Sequence, residues 1–142
     1  SEAALRLVSE LAEAMGARPL VLEAQAHDEL VAGVSHLPTL VSTALFATAE
    51  GKDAWPLMSQ LAASGFRDVT RLASSDPKMN SDICATNRDA IARWIDRFIE
   101  ELTRLRGLVK EDGEALEQVF QQVRQARQRW MEQRYPPQGK PL

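Results

Sequence analysis

Ala26-His27-Asp28-Glu29-Leu30-Val31-Ala32-Gly33-Val34-Ser35-His36-Leu37-Pro38-Thr39-Leu40-Val41-Ser42-Thr43-Ala44-Leu45 is the stretch that decides the fold. Leu30, Val34, Leu37, Val41 and Leu45 recur every three or four residues, which is the spacing of one helix face. The pattern predicts one long helix over 26–49, broken by Gly51. Ala32, Gly33, Ser35, Ser42 and Thr43 are small, so another backbone can approach this helix closely. Pro38 has no N–H to donate and is expected to kink the helix.

Towards the N-terminus, Ala3, Leu5, Leu7, Val8, Leu11, Ala12 and Met15 keep helical spacing, and Gly16 stands where a helix end favours positive φ. Arg18-Pro19-Leu20-Val21-Leu22-Glu23 is the one stretch with strand character. Helix, glycine, short strand is how the tail of an α/β unit reads. Residues 1–24 are therefore expected to end an α/β domain whose earlier part is missing. Residues 25–134 are expected to be a separate helical domain.

Towards the C-terminus the pattern predicts a shorter helix over 54–63 and a helical turn over 66–74. Asp76-Pro77 reads as a helix start, with Asp as cap and Pro at the first helical position. Asn87 opens a helix whose stripe is Ile91, Trp94, Ile95, Phe98, Leu102 and Leu105, with Gly107 internal and Asp112-Gly113 at the turn. Leu116, Val119, Phe120, Val123, Ala126, Trp130 and Met131 form a last stripe. Residues 135–142 carry three prolines and are expected to be an extended, poorly ordered tail. The fold class is thus all-α with a short N-terminal α/β remnant.

Composition narrows the function. With 44% hydrophobic and 26% charged residues, the chain has enough apolar material for a core. A net charge of -3 argues against a nucleic-acid partner. No apolar run is expected to reach the roughly 18 residues of a membrane span. Cys84 is the sole cysteine, which excludes an internal disulfide or a Cys-rich zinc site. The N-terminus lacks a basic start and a long apolar stretch, so no signal peptide is expected and a cytoplasmic setting is. No GxGxxG or GxxxxGK[ST] occurs, so no cofactor-binding phosphate loop is readable. The wide stripes fit either partner helices from a second copy or a compact monomer.

His27 and His36 are nine residues apart, about 900° around a helix, and fall on opposite faces. That spacing argues against a shared metal ion. Ser35 and His36 are neighbours pointing about 100° apart, which does not suit a Ser–His–Asp triad with Asp28. His36 shares a face with Ala32, Thr39 and Thr43, so it either lines a cavity or is a core histidine bonded to a backbone carbonyl. Arg67, Asp68 and Arg71 follow Gly65, with Asp68 and Arg71 at the i, i+3 spacing of a helical ion pair. The cluster reads as a solvated charged face or as a carboxylate clamp built on the planar guanidinium fork. Arg124, Arg127, Arg129 and Arg134 with the intervening glutamines read as a solvated face, and Cys84 as a small core residue.

Two segments in register go further. His27-Asp28…Ala32…Ser35-His36-Leu37-Pro38 resembles the HD…A…SHLP segment of prephenate and arogenate dehydrogenases. Gly65-Phe66-Arg67-Asp68-Val69-Thr70-Arg71-Leu72-Ala73-Ser74-Ser75-Asp76-Pro77 resembles that family's GF(R/K)D-x-TRIA segment, and Asp82-Ile83 with Asn87 its downstream DI…N. The resemblance implies a two-domain enzyme that oxidatively decarboxylates prephenate to 4-hydroxyphenylpyruvate, on the route to tyrosine. Its Rossmann-type domain would bind NAD or NADP, and this chain alone would bind no cofactor and be inactive. Its helical domain, of the 6-phosphogluconate dehydrogenase C-terminal-like type, would supply a homodimer interface and part of the substrate pocket. By the same resemblance Arg71 binds a substrate carboxylate, and Ser35 and His36 line the pocket. Asp68, Arg67 and His27 would shape the loop or the pocket edge. Thr39 stands where many members have a second histidine, and Met79-Asn80 where many have a tryptophan. Those departures leave open prephenate against arogenate, and tyrosine feedback. The competing reading is a helical dimerisation or regulatory module without catalysis.

Overall fold

The computed structural model describes residues 1–111 and 113–135. Among the described residues every regular element is helical. Contacts divide the chain into two compact units, residues 1–94 and the part from residue 95 onward.

The first unit opens with α1 (Glu2–Ala14), capped by the Ser1 hydroxyl, which accepts from the Ala4 N–H. Its far end closes as expected at Gly16, whose φ is +78°. The Gly16 N–H donates to Glu13 and the Ala17 N–H to Ala12, the paired bonds of a Schellman ending. The expected strand at 18–23 does not form. Its residues take no regular structure, and no second strand exists among the described residues to take its N–H and C=O groups. The apolar side chains of α1 and of this segment, from Leu5 to Leu22, stay exposed.

The deciding stretch is helical from Ala24 to Glu50, as α2 (Ala24–Val31), a π-helical segment (Ala32–His36) and α3 (Leu37–Glu50). The expected kink at Pro38 is thus a wide turn. The Leu37 N–H reaches the Ala32 carbonyl, five residues back. Widening just ahead of Pro38 accommodates a ring that a regular helix would drive against the carbonyl four residues back. Gly51 ends α3 where expected.

The expectation that no apolar run reaches membrane length needs correction. The helical run Ala24–Glu50 has 27 residues and a mean hydropathy of 1.5 over its most apolar window. One such helix is weak grounds for a span. Its small and polar residues are used within the protein, which is where the core lies. Ala32 is fully buried, Ser42 nearly so, and Ala90 and Ile91 pack at the start of α7 (Arg88–Lys110). The Trp94 indole lies over Gly33, where an added Cβ would stand 2.6 Å from its Cε2. The indole N–H donates to the Glu29 carbonyl at 3.0 Å, and the Glu29 carboxylate is bonded to Arg93.

Two short helices, α4 (Trp55–Leu61) and α5 (Ser64–Val69), then lead to a 3-10 turn (Arg71–Ser74). Phe46, Trp55 and Phe66 hold α3, α4 and α5 together, with ring centroids 5.5–6.1 Å apart. The helix α6 (Pro77–Thr86) starts on the expected cap, with the Met79 N–H donating to the Asp76 carboxylate at 2.7 Å.

In the second unit α7 continues through Gly107 to Lys110, and α8 (Glu114–Arg134) follows. Asp112 and residues 136–142, including most of the expected tail, lie outside the described residues. A two-point bond from Arg104 holds the exposed Glu101 carboxyl below its ordinary range. Ile99, Leu102, Phe120, Val123 and Trp130 remain exposed.

Gly33→Ala is expected to lower stability by about 1–3 kcal/mol, because the new methyl overlaps the Trp94 ring. Urea unfolding checks this, and a midpoint equal to wild type would remove the close approach from the account.

Candidate functional site

The widened turn and α6 face each other across a cavity of about 170 Å³. Ser35, His36, Thr39 and Leu40 line it from the π segment and α3. Leu72 and Ser75 line it from the 3-10 turn and just beyond, and Met79, Asn80, Ile83 and Cys84 from α6. The wall therefore combines hydroxyl, amide and imidazole groups with apolar side chains, the composition of a small-molecule site.

Each wall has a local reason for its position. The buried Ser42 hydroxyl accepts the Ala73 N–H at 3.0 Å and so fastens the 3-10 turn to α3. The Ser75 hydroxyl donates to the Leu72 carbonyl at 2.6 Å and accepts from Asn80 Nδ2 at 2.9 Å, tying that turn to α6. The Thr39 hydroxyl donates back to the Ser35 carbonyl at 3.4 Å, close to the Pro38 interruption. His36 is held by Asn87, whose Nδ2 lies 3.4 Å from its Nδ1. This replaces the backbone-carbonyl bond expected of a core histidine.

Four of the residues picked out in the sequence thus share one cavity: Ser35, His36, Thr39 and Asn80. The other four do not line it. Arg67 and Asp68 pair with each other at 3.1 Å, both well exposed. The expected Asp68–Arg71 pair is absent, because the helix breaks at Thr70 and Arg71 belongs to the 3-10 turn, out of helical phase with Asp68. Arg71 is exposed and its guanidinium has no hydrogen bond or ion pair among the described residues. Its neighbour Leu72 is part of the wall. His27 pairs with Asp28 at 3.1 Å on the surface. Cys84, expected in the core, is half-buried on the cavity wall. Sequence reasoning gave no role to Ser75 or Asn87. Ser75 lies within the second family-like segment, beyond its TRIA-like core, and Asn87 matched the DI…N pattern.

A family model, the prephenate dehydrogenase dimerisation domain, matches residues 23–122. The chain belongs to this family. It is 33% identical over 126 residues to the prephenate dehydrogenase of Bacillus subtilis strain 168, covering 87% of this chain and 34% of that protein. It is 33% identical over 128 residues to the cyclohexadienyl dehydrogenase of Zymomonas mobilis, covering 87% of this chain and 43% of that protein. Among solved structures, Synechocystis arogenate dehydrogenase superposes with a TM-score of 0.80 at 27% identity, over 92% of this chain and 48% of that one. The chain therefore spans well under half the length of the curated relatives it matches. The dimerisation domain explains why so much apolar stripe is exposed in a single copy, and favours the partner-helix reading over the compact monomer.

In this dimerisation domain Ser42→Ala removes one of the two acceptors of the Ala73 N–H and leaves it the Thr70 carbonyl at 3.0 Å. The expected loss is about 0.5–1.5 kcal/mol, read as a lower denaturant midpoint. An unchanged midpoint would mean the 3-10 turn is held by other contacts.

Proposed function

We propose that this chain is the dimerisation and substrate-side domain of an NAD(P)-dependent prephenate or arogenate dehydrogenase, inactive by itself. The observation that carries the reading is that both family-like segments line one small, mostly apolar cavity, the first through Ser35 and His36 and the second through Leu72. In such a reaction the substrate loses a hydride from its carbinol carbon and its ring carboxylate as carbon dioxide, and the ring becomes aromatic. The protein mainly has to orient carboxylate and hydroxyl groups.

A dinucleotide does not fit the residues present. The sequence has no glycine-rich phosphate loop, and among the described residues there is no strand to build a βαβ crossover. The cofactor, whichever of NAD and NADP it is, is therefore assigned to another part of the complete enzyme, and residues 1–24 to the tail of that part. Homodimerisation through the long helices belongs to the same reading.

Within the cavity, the Ser35, His36, Thr39 and Asn80 side chains are hydrogen-bonding groups for substrate oxygens. Leu40, Leu72, Met79 and Ile83 supply an apolar bed for the ring. Arg71 is the proposed carboxylate partner. Its guanidinium has no bond to break before it takes one, and it stands next to the wall residue Leu72. Asp68, Arg67 and His27 are proposed to shape the segment and the pocket edge rather than to touch substrate.

The test is calorimetric titration of the 142-residue chain with 4-hydroxyphenylpyruvate, beside His36→Asn and Arg71→Ala. Binding that weakens in both variants is the expected result, and no heat in any of them favours a non-catalytic dimerisation module. In the complete enzyme Arg71→Ala is expected to raise KM roughly ten- to a hundredfold, the loss of a charged hydrogen bond worth about 1.5–3 kcal/mol. A KM that does not move removes Arg71 from the substrate site.

A further inference from the structure

Asn87 stands outside the cavity yet is bonded to the imidazole that lines it. Its Nδ2 donates to the Asp28 carbonyl at 2.7 Å and lies 3.4 Å from His36 Nδ1. The first bond settles which way the amide faces. A backbone carbonyl only accepts, so the amide oxygen cannot take that place without setting two acceptors against each other. With Nδ2 so oriented, one N–H serves Asp28 and the second is directed to His36. A donor meeting Nδ1 requires Nδ1 to be the unprotonated nitrogen, and the neutral ring then carries its proton on Nε2.

The backbone of Asn87 is held on both sides. Its N–H donates to the Ile83 carbonyl at 3.0 Å, and its carbonyl accepts the Ile91 N–H at 3.1 Å. It is thus fixed at the junction of α6 and α7, half-buried, and reaches back 59 residues to α2 and 51 to the π segment. It lines a separate, open groove together with Asp28. We propose that Asn87 is a positioning residue that locks His36 in the Nε2–H tautomer, so that the cavity is offered a hydrogen-bond donor and not an acceptor. A donor suits a ligand oxygen carrying negative charge, such as a carboxylate. This deepens the substrate reading of the same cavity and rests on it for the identity of the ligand, but not for the state of the ring.

The experiment is long-range ¹H–¹⁵N NMR of the uniformly labelled chain at about pH 8.5, where an ordinary imidazole is neutral. His27→Gln separates the two histidines. The expected wild-type spectrum shows His36 with Nε2 protonated and Nδ1 unprotonated. Asn87→Leu removes the donor and is expected to shift Nδ1 partway towards the protonated signature. Asn87→Asp replaces the donor with an acceptor and is expected to invert the tautomer. A wild-type ring that is mixed or protonated on Nδ1 overturns the assignment without any variant. So does a ring unchanged in a folded Asn87→Asp protein. Titration with 4-hydroxyphenylpyruvate separates the two claims. A locked ring with no ligand response leaves Asn87 in its role and removes the substrate reading.

Discussion

The wide turn at Ala32–His36 is the constraint on which the rest depends. Pro38 cannot donate to the ladder, and a regular helix would press its ring against a carbonyl one turn back. The chain meets this with an extra residue in the preceding turn. An inserted residue advances everything beyond it by about 100° relative to an unbroken helix. Ser35 and His36 lie in that wide turn and line the cavity. Next to them Gly33 has no side chain, so the Trp94 ring can lie against the backbone and bond the Glu29 carbonyl. One irregularity therefore serves both the core and the site.

The second organising fact is how little apolar surface one copy hides. Among the described residues only Ala32, Ala90 and Ile91 are buried apolar residues, while leucines and aromatics along α1, α4, α7 and α8 are exposed. Burying one such side chain fully is worth about 1.5–3 kcal/mol. Membership of a dimerisation-domain family gives the exposed stripes within residues 23–122 a purpose. The small residues of α3 serve a different need. Ser42 and Ala73 bring a 3-10 turn close to α3, and that turn carries part of the cavity wall.

Much of the fold was legible because caps and periodicity are local. Asp76-Pro77, Gly16 and Gly51 end or begin helices where their chemistry requires, and the stripes of α7 and α8 follow the helical period. The segment 18–23 was misread because strand character is a statement about side chains, whereas a strand exists only with a partner. The Asp68–Arg71 pair was misread because i, i+3 spacing presumes an unbroken helix, and Thr70 interrupts it. Half of the candidate residues were found to share a cavity. Arg71, Arg67, Asp68 and His27 lie outside it, on surfaces that sequence spacing does not distinguish from a wall.

The sequence by itself determined the predominantly helical character, the helix ends and the family to which the chain belongs. Each of these follows from residue identity and from spacing over a few turns. Only the tertiary structure decided which residues meet. Asn87 touches Asp28 and His36 from more than fifty residues away, and Trp94 settles on Gly33 from sixty-one away. Such contacts depend on the angle and phase at which helices cross. A single wide turn resets that phase without leaving a periodic mark in the sequence.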